Sequence, residues 1–249
     1  MTLVLLHGFC EDHTIWDDLL THLKSKINVK CIDLPGFGDN SDQYIQGRSI
    51  EAMAAFVHDE IQKYKLPADE KIIIIGHSLG GYVTLALAEK YPLLWAGIGL
   101  FHSTATPDTE ERKVKRLKTI DFVEANGAEA FHRVLIPDLF KTDTEPKVIE
   151  NIIAKARTAH SQGIIAALEA MRNRPDRLDV LEDFNKPILF IAGEADTLIP
   201  KKIILDQATL CKTAQIEVLV NSAHMGMIEE PKRSAEIIDK FIELVKGQN

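Results

Sequence analysis

Several features that would point directly to a function are scarce or missing in this sequence. Its 249 residues include only three cysteines, Cys10, Cys31 and Cys211, which lie far apart and are odd in number. They give neither a disulfide framework nor the spacing of metal ligands. We therefore expect a reduced, cytoplasmic protein whose activity needs no metal.

Long hydrophobic runs and an excess of positive charge are missing as well. No apolar stretch approaches the roughly 20 residues that cross a bilayer, and the apolar run at 3–6 lacks the basic lead of a signal peptide. The formal net charge is -8, whereas proteins that bind phosphate backbones present a basic face. We expect neither a membrane partner nor a nucleic-acid partner.

The sequence does contain short apolar runs that alternate with helical patterns. Six of these runs have the length of a strand, at 3–7, 29–34, 72–76, 96–102, 188–193 and 216–220. Runs that are apolar at every position are typical of a parallel sheet with helices on both faces. Apolar residues also recur at helical spacing after Ser49, a candidate N-cap. The alternation predicts an α/β fold.

One segment interrupts this alternation. Residues 103–181 contain no convincing strand and consist of charged, helical patterns. We therefore predict a core made of residues 1–102 and 182–249, into which residues 103–181 are inserted as a helical unit. Most charged residues of the insertion are expected at its surface.

The most informative stretch is the strand at 72–76 and the turn that follows it. Four isoleucines lead into Gly76-His77-Ser78-Leu79-Gly80, and an alanine- and leucine-rich helical pattern follows. A strand, a Gly-x-Ser-x-Gly turn and a helix together are the signature of a nucleophile elbow, which exposes a serine hydroxyl above the sheet. The two glycines allow strand and helix to approach closely. Ser78 is the candidate nucleophile.

A serine hydroxyl needs a base, and the base needs a carboxylate. His224 follows the last apolar run and is the candidate base, while His102 is a weaker alternative and His77 is expected to be structural. Asp196, just after the run at 188–193, is the candidate acid, with Glu194 and Asp108 as alternatives. The remaining histidines are expected at the surface: His13, His22, His58, His132 and His160.

An acyl-transfer site also needs donors for an oxyanion. The backbone N–H of Leu79, at the start of the helix after the nucleophile, is one candidate. The second is the N–H of Phe9, because His7-Gly8 turns the chain directly after the first strand.

Taken together, these residues resemble the α/β-hydrolase fold family. The similar stretches are HGF at 7–9, DLPGFGDNS at 33–41, GHSLGG at 76–81, GEADTLIP at 193–200 and NSAHMGMIEEP at 221–231. The resemblance covers nearly the whole chain and implies Ser78, Asp196 and His224 as a catalytic triad, with Phe9 and Leu79 as oxyanion donors. It also implies that the insertion is a helical cap. Members commonly carry two further strands before the His-Gly strand, so we expect a reduced sheet of about six mostly parallel strands.

The members that this sequence resembles are small, cofactor-free, carboxylesterase-like enzymes. We therefore expect a serine hydrolase that cleaves a small carboxylic ester or thioester through an acyl-enzyme, without metal or cofactor. A serine in place of a carboxylate argues against haloalkane dehalogenases and epoxide hydrolases. Two alternatives stay open, namely a C–C bond hydrolase or lyase on the same scaffold, and a ligand-sensing receptor that retains the triad.

The insertion offers apolar side chains for a substrate pocket, although each one is expected to belong to the insertion's own core: Phe122, Phe131, Leu135, Phe140, Ile164, Leu168 and Met171. Arg172 and Arg174 could meet an acidic substrate, but they are expected at the surface.

Overall fold

Six strands form a single sheet in which every neighbouring pair is parallel. The computed structural model describes residues 1–43 and 48–248. The strand order is β2-β1-β3-β4-β5-β6. The strands are β1 (Thr2–Leu6), β2 (Asn28–Ile32), β3 (Ile72–His77), β4 (Trp95–Phe101), β5 (Ile188–Gly193) and β6 (Ala214–Leu219). The sheet confirms the predicted fold class and the expected number of strands.

The central strands are mostly apolar because both of their faces are covered. Every residue of β1 and β3 is buried. Alternate residues point to opposite faces of a strand, so Ile72 and Ile74 join one hydrophobic core while Ile73 and Ile75 join another. These two cores lie on opposite sides of the sheet, so β1 and β3 are each buried on both faces.

Helices alternate with the strands over most of the chain. Ser49 caps the second helix as expected, because its hydroxyl accepts a hydrogen bond from Ala52 N–H at 3.2 Å. The α-helices are α1 (Asp17–His22), α2 (Ile50–Lys63), α3 (Leu79–Lys90), α4 (Glu110–Leu135), α5 (Pro146–Ala156), α6 (Ser161–Asn173), α7 (Leu178–Asp183), α8 (Lys201–Ala208), α9 (Gly226–Glu229) and α10 (Pro231–Gly247). None of the described helices is both long and apolar enough to span a bilayer.

The chain between β4 and β5 is helical, in the segment where the sequence predicts an insertion. It contains α4, α5, α6 and α7 together with a 3-10 turn at Ile136–Leu139. α4 is interrupted at Gly127, whose backbone has φ 81° and ψ 170°. A glycine adopts such angles without a steric penalty, so the two halves of α4 point in different directions. α7 runs across the boundary predicted at residue 181.

Three expectations about this segment were wrong. His132 was expected at the surface, but its side chain is fully buried. Arg174 was also expected at the surface and is 4% exposed, because its guanidinium donates to Asp108 and lies over the ring of Tyr82. Phe122 was expected in a core and is 37% exposed.

Candidate active site

Ser78 lies in a strained turn between β3 and α3. Its φ of 47° and ψ of -109° are unusual for a residue with a side chain. Its N–H donates to Phe101 O at 2.9 Å, and its carbonyl accepts from Ser103 Oγ at 2.7 Å. Its side chain is half-buried, while the flanking residues His77 and Leu79 are fully buried. The turn therefore presents the hydroxyl at the C-terminal ends of the parallel strands.

Two glycines allow the strand and the helix to close around this turn. A Cβ on Gly76 would lie 2.1 Å from Gly80 O, and a Cβ on Gly80 would lie 2.6 Å from the carbonyl oxygens of Leu6 and His7. The start of α3 thus lies directly against the end of β1. This contact brings the loop after β1 beside Ser78.

Asp196 and His224 lie in contact, on the loops that follow β5 and β6. His224 Nδ1 is 2.7 Å from Asp196 Oδ2. The other carboxylate oxygen, Oδ1, accepts from the N–H groups of Leu198 and Ile199 at 2.8 Å and 2.9 Å. The carboxylate is therefore fixed by its own loop. It holds the proton of His224 on Nδ1, which leaves Nε2 unprotonated and able to act as the base.

The pair is electrostatically coupled. Burial by itself raises the pKa of Asp196, but the positive charge and hydrogen bond of His224 outweigh it and lower that pKa to about 2. Burial lowers the pKa of His224, whereas the charge and hydrogen bond of Asp196 and the charge of Glu11 raise it above 6.5 overall. Asp196 is thus ionised at neutral pH, and the pKa of His224 is raised from its ordinary value.

His102 is a second imidazole beside the acid. Its Nε2 accepts from Gly226 N–H at 3.3 Å, which leaves the proton on Nδ1, 3.4 Å from Asp196 Oδ2. Burial, with smaller effects from neighbouring groups, holds the pKa of His102 well below 6.5. His102 was a weaker candidate base in the sequence analysis, but in the structure it lies beside Asp196 as a buried imidazole whose Nδ1 has no hydrogen-bond partner within the described residues.

The loop after β1 carries the first candidate oxyanion donor. His7 fixes this loop, because its Nδ1 lies 2.7 Å from Gly8 O and its Nε2 accepts from Leu34 N–H at 2.8 Å. Within residues 1–43 and 48–248, the N–H groups of Phe9 and Leu79 make no hydrogen bond to another loop, strand or helix. Both N–H groups therefore lack a protein acceptor in the described part of the chain.

The alternative acids are occupied elsewhere. The carboxylate of Asp108 is bound by Arg116 and by Arg174, the latter at 2.7 Å. Glu194 is about half exposed and pairs with Lys201. Neither forms a hydrogen bond with a histidine in the described part of the chain, whereas Asp196 does.

Glu11 is a buried residue of this region that the sequence analysis did not single out. Its carboxylate accepts from Gly8 N–H at 2.7 Å and lies 2.9 Å from His77 Nδ1. A buried histidine at the end of a strand needs polar partners, which was the only signal in the sequence. Nothing in the sequence marked Glu11 as that partner.

One group of side chains has the composition of a metal site, but its central carboxylate already binds other groups of the protein. Ligand atoms of His13, Asp33 and Asp39 lie within 4.8 Å of one another. The carboxylate of Asp33, however, accepts from the N–H groups of His13 and Asp39 and contacts the ring of His13 at 2.8 Å. These bonds indicate that Asp33 stabilises the loop after β2.

The chain belongs to the alpha/beta hydrolase family, whose sequence model matches residues 3–237. It is 27% identical over 246 residues to a pimeloyl-(acyl-carrier protein) methyl ester esterase of Neisseria meningitidis, with 96% of this chain and 76% of that protein covered. It is 22% identical over 254 residues to a monoacylglycerol lipase of Mus musculus, covering 97% and 75%.

Among solved structures, a thermophilic esterase from Thermogutta terrifontis with bound malate superposes with a TM-score of 0.91. The two sequences are 30% identical, and the match covers 98% of this chain and 90% of the other. Esterases and lipases therefore recur among the relatives, and the chain is an enzyme of the esterase-like hydrolase class.

Proposed function

We propose that the chain is a serine esterase that hydrolyses a small carboxylic ester or thioester through an acyl-enzyme. One observation carries the proposal. His224 is held on Asp196 at 2.7 Å, at the same end of the sheet where β3 delivers the strained, half-buried Ser78. A nucleophile, a base and an orienting acid in this arrangement are the parts that acyl transfer to serine requires.

In the proposed mechanism, Ser78 Oγ attacks the carbonyl carbon of the ester while His224 Nε2 accepts the hydroxyl proton. The N–H groups of Phe9 and Leu79 stabilise the oxyanion, and each such donor contributes on the order of 10²–10³ in rate. The C–O or C–S bond breaks as His224 returns its proton to the leaving alcohol or thiol. Water, deprotonated by His224, then attacks the acyl-enzyme and releases the acid and free Ser78.

Residues 103–181 are proposed as the cap over this site, and their contacts reach all three of its loops. Leu139 O accepts from His224 N–H at 2.9 Å. The ring of Phe131 lies 5.9 Å from that of Phe9, and the Arg112 guanidinium donates to Leu198 O. A segment that touches the base loop, the oxyanion loop and the acid loop is well placed to form the walls of the acyl pocket.

The substrate class is proposed from chemistry and from the relatives together. The names of the two relatives specify a methyl ester and a monoacylglycerol, both of which are carboxylic esters of small alcohols. We expect a substrate whose acyl portion lies under the cap and whose small alcohol or thiol leaves past His224.

The test is hydrolysis of p-nitrophenyl esters of increasing acyl length by the wild type and by Ser78→Ala and His224→Ala. Steady turnover that both substitutions abolish is expected, with a chain-length optimum set by the cap. A fluorophosphonate probe should add its mass to the peptide that contains Ser78. Ser161→Ala and His160→Ala are matched controls, because both residues lie at the start of α6 and neither belongs to the triad, and they should retain activity.

Two outcomes would overturn the proposal. Turnover that survives Ser78→Ala would exclude Ser78 as the nucleophile. A single burst of product without further turnover would mean that acylation occurs but deacylation does not, and it would favour the receptor-like alternative.

A further inference from the structure

A buried glutamate–histidine pair lies directly beside the candidate site. Glu11 Oε2 is 2.9 Å from His77 Nδ1, and the two side chains are 2% and 0% exposed. Neither residue belongs to the triad or to the oxyanion donors. Two ionisable groups are costly to bury unless their hydrogen bonds are satisfied. The bonds that Glu11 and His77 make therefore show what stabilises them in the interior.

Hydrogen bonds from the pair reach two different loops of the site. Glu11 Oε2 also accepts from the N–H of Gly8 at 2.7 Å, and Gly8 directly precedes Phe9. On its other side, His77 Nε2 lies 2.9 Å from the carbonyl oxygen of His224. His77 itself immediately precedes Ser78. The pair is thus linked to the oxyanion loop, the nucleophile and the base at once.

The proton count follows from the identity of these partners. Both ring nitrogens of His77 face oxygen atoms, one of a carboxylate and one of a backbone carbonyl. A carbonyl oxygen only accepts, and a neutral imidazole has a single N–H. Satisfying both contacts requires one proton beyond a neutral histidine and a carboxylate, which an imidazolium paired with the Glu11 carboxylate provides.

The packing around the pair leaves little room for movement. A Cβ on Gly8 would lie 2.6 Å from His77 Nδ1 and 2.9 Å from both carboxylate oxygens of Glu11. The ring of His77 is 4.9 Å from that of His224, centroid to centroid. A displacement of either partner would therefore be transmitted to Gly8 and to the base.

We propose that Glu11 and His77 are positioning residues, whose buried ion pair sets the distance between the oxyanion loop and the base loop around Ser78. The inference rests on the serine-esterase function proposed above. A misplacement of about 1 Å at a catalytic centre lowers rate on the order of 10²-fold. Loss of the pair should accordingly reduce kcat more than it changes KM, because neither residue touches the substrate.

The experiment compares Glu11→Gln, His77→Gln and the double variant with the wild type, using a p-nitrophenyl ester. Glutamine keeps the size of Glu11 and an acceptor for Gly8 N–H, but it does not balance an imidazolium. We expect each single variant to lower kcat about 10- to 100-fold with KM within about twofold. The double variant should be little worse than the worse single variant, because the two residues act as a unit.

Asp108→Asn is the matched control. Asp108 is another buried carboxylate with cationic partners, Arg116 and Arg174, and it lies outside the triad. This change should lower the melting temperature while leaving kcat per folded molecule unchanged. Folding of every variant is checked by circular dichroism and thermal melting.

Other outcomes separate the two proposals. If Ser78→Ala is inactive but folded Glu11→Gln has the kcat of the wild type, the positioning role is wrong and the esterase function stands. Multiplicative losses in the double variant also overturn the role. Where Glu11→Gln fails to fold, Glu11→Asp keeps the charge on a side chain one methylene shorter, and an unchanged kcat in that folded variant overturns the role as well.

Discussion

His224 Nδ1 and Asp196 Oδ2 lie 2.7 Å apart, and each residue is held by further bonds from a different part of the chain. Asp196 is anchored by the N–H groups of Leu198 and Ile199. His224 donates its own N–H to Leu139 O, which lies in the helical insertion. Asp196 is therefore positioned by its own loop, and His224 is positioned both by Asp196 and by the helical segment between β4 and β5.

Asp196→Asn tests the orienting acid. The amide nitrogen of asparagine donates instead of accepting, so His224 would no longer be held in the tautomer that leaves Nε2 free. We expect kcat to fall by about 10³–10⁴-fold, with the protein still folded. Glu194→Gln, in the same loop but paired with Lys201, is the control and should leave kcat unchanged. The reverse result would transfer the acid role to Glu194.

The dependence of kcat/KM on pH tests the state of the base. Only neutral His224 accepts the proton of Ser78. Burial lowers its pKa, but Asp196 and Glu11 raise it further, so the folded pKa lies above 6.5. Activity should therefore fall as pH drops through a midpoint above 6.5. Assays from about pH 5 to about pH 8 at constant ionic strength measure this midpoint. A midpoint at or below 6.5 would contradict the expected coupling to Asp196.

The sequence predicted the sheet and the elbow because both depend on local patterns. Runs of isoleucine define β3, and Gly76 and Gly80 are needed wherever a strand and a helix meet so closely. The burial of His132 was not predictable in this way. A residue's face on a helix follows from its spacing only while the helix is continuous, and Gly127 interrupts α4 five positions earlier.

Contacts between distant residues account for two further features that the sequence analysis missed. Arg174 is buried because Asp108, 66 positions away along the chain, supplies its counter-charge. Glu11 gains its role in the structure from His77, which is likewise 66 positions away. A single sequence contains no local signal for such pairs, since neither member shows where the other will lie.

Gly76→Ala tests the close approach at the elbow. The added Cβ would lie 2.1 Å from Gly80 O, a backbone atom that moves only if α3 moves. We expect a loss of stability of several kcal/mol, in the range of overpacked or strained sites, and little soluble enzyme. Gly247→Ala is the control, because among residues 1–43 and 48–248 nothing lies within 4 Å of a Cβ at Gly247. Urea titration compares the two variants, and equal stability would contradict the close packing.

His132→Leu tests the buried histidine of the insertion. Within the described residues, neither ring nitrogen of His132 has a hydrogen-bond partner, and the side chain is fully buried. Burial, partly offset by Glu129, lowers its pKa from 6.5 to about 4. Below pH 6.5 the unfolded chain therefore binds a proton that the folded chain excludes. The free energy of unfolding should fall as pH drops from 6.5 towards about 4, by up to about 3 kcal/mol.

Leucine has no polar atoms to leave unpaired, so His132→Leu should be more stable than the wild type by about 1–3 kcal/mol near neutral pH. Its advantage should grow as the pH is lowered to about 5, because the variant lacks this titrating group. Urea titrations at about pH 7.5 and about pH 5 measure both effects. His160→Leu, at a side chain 58% exposed, is the control and should change stability by less than about 0.5 kcal/mol. A His132→Leu advantage that is the same at both pH values would mean that proton exclusion at His132 does not contribute to acid sensitivity.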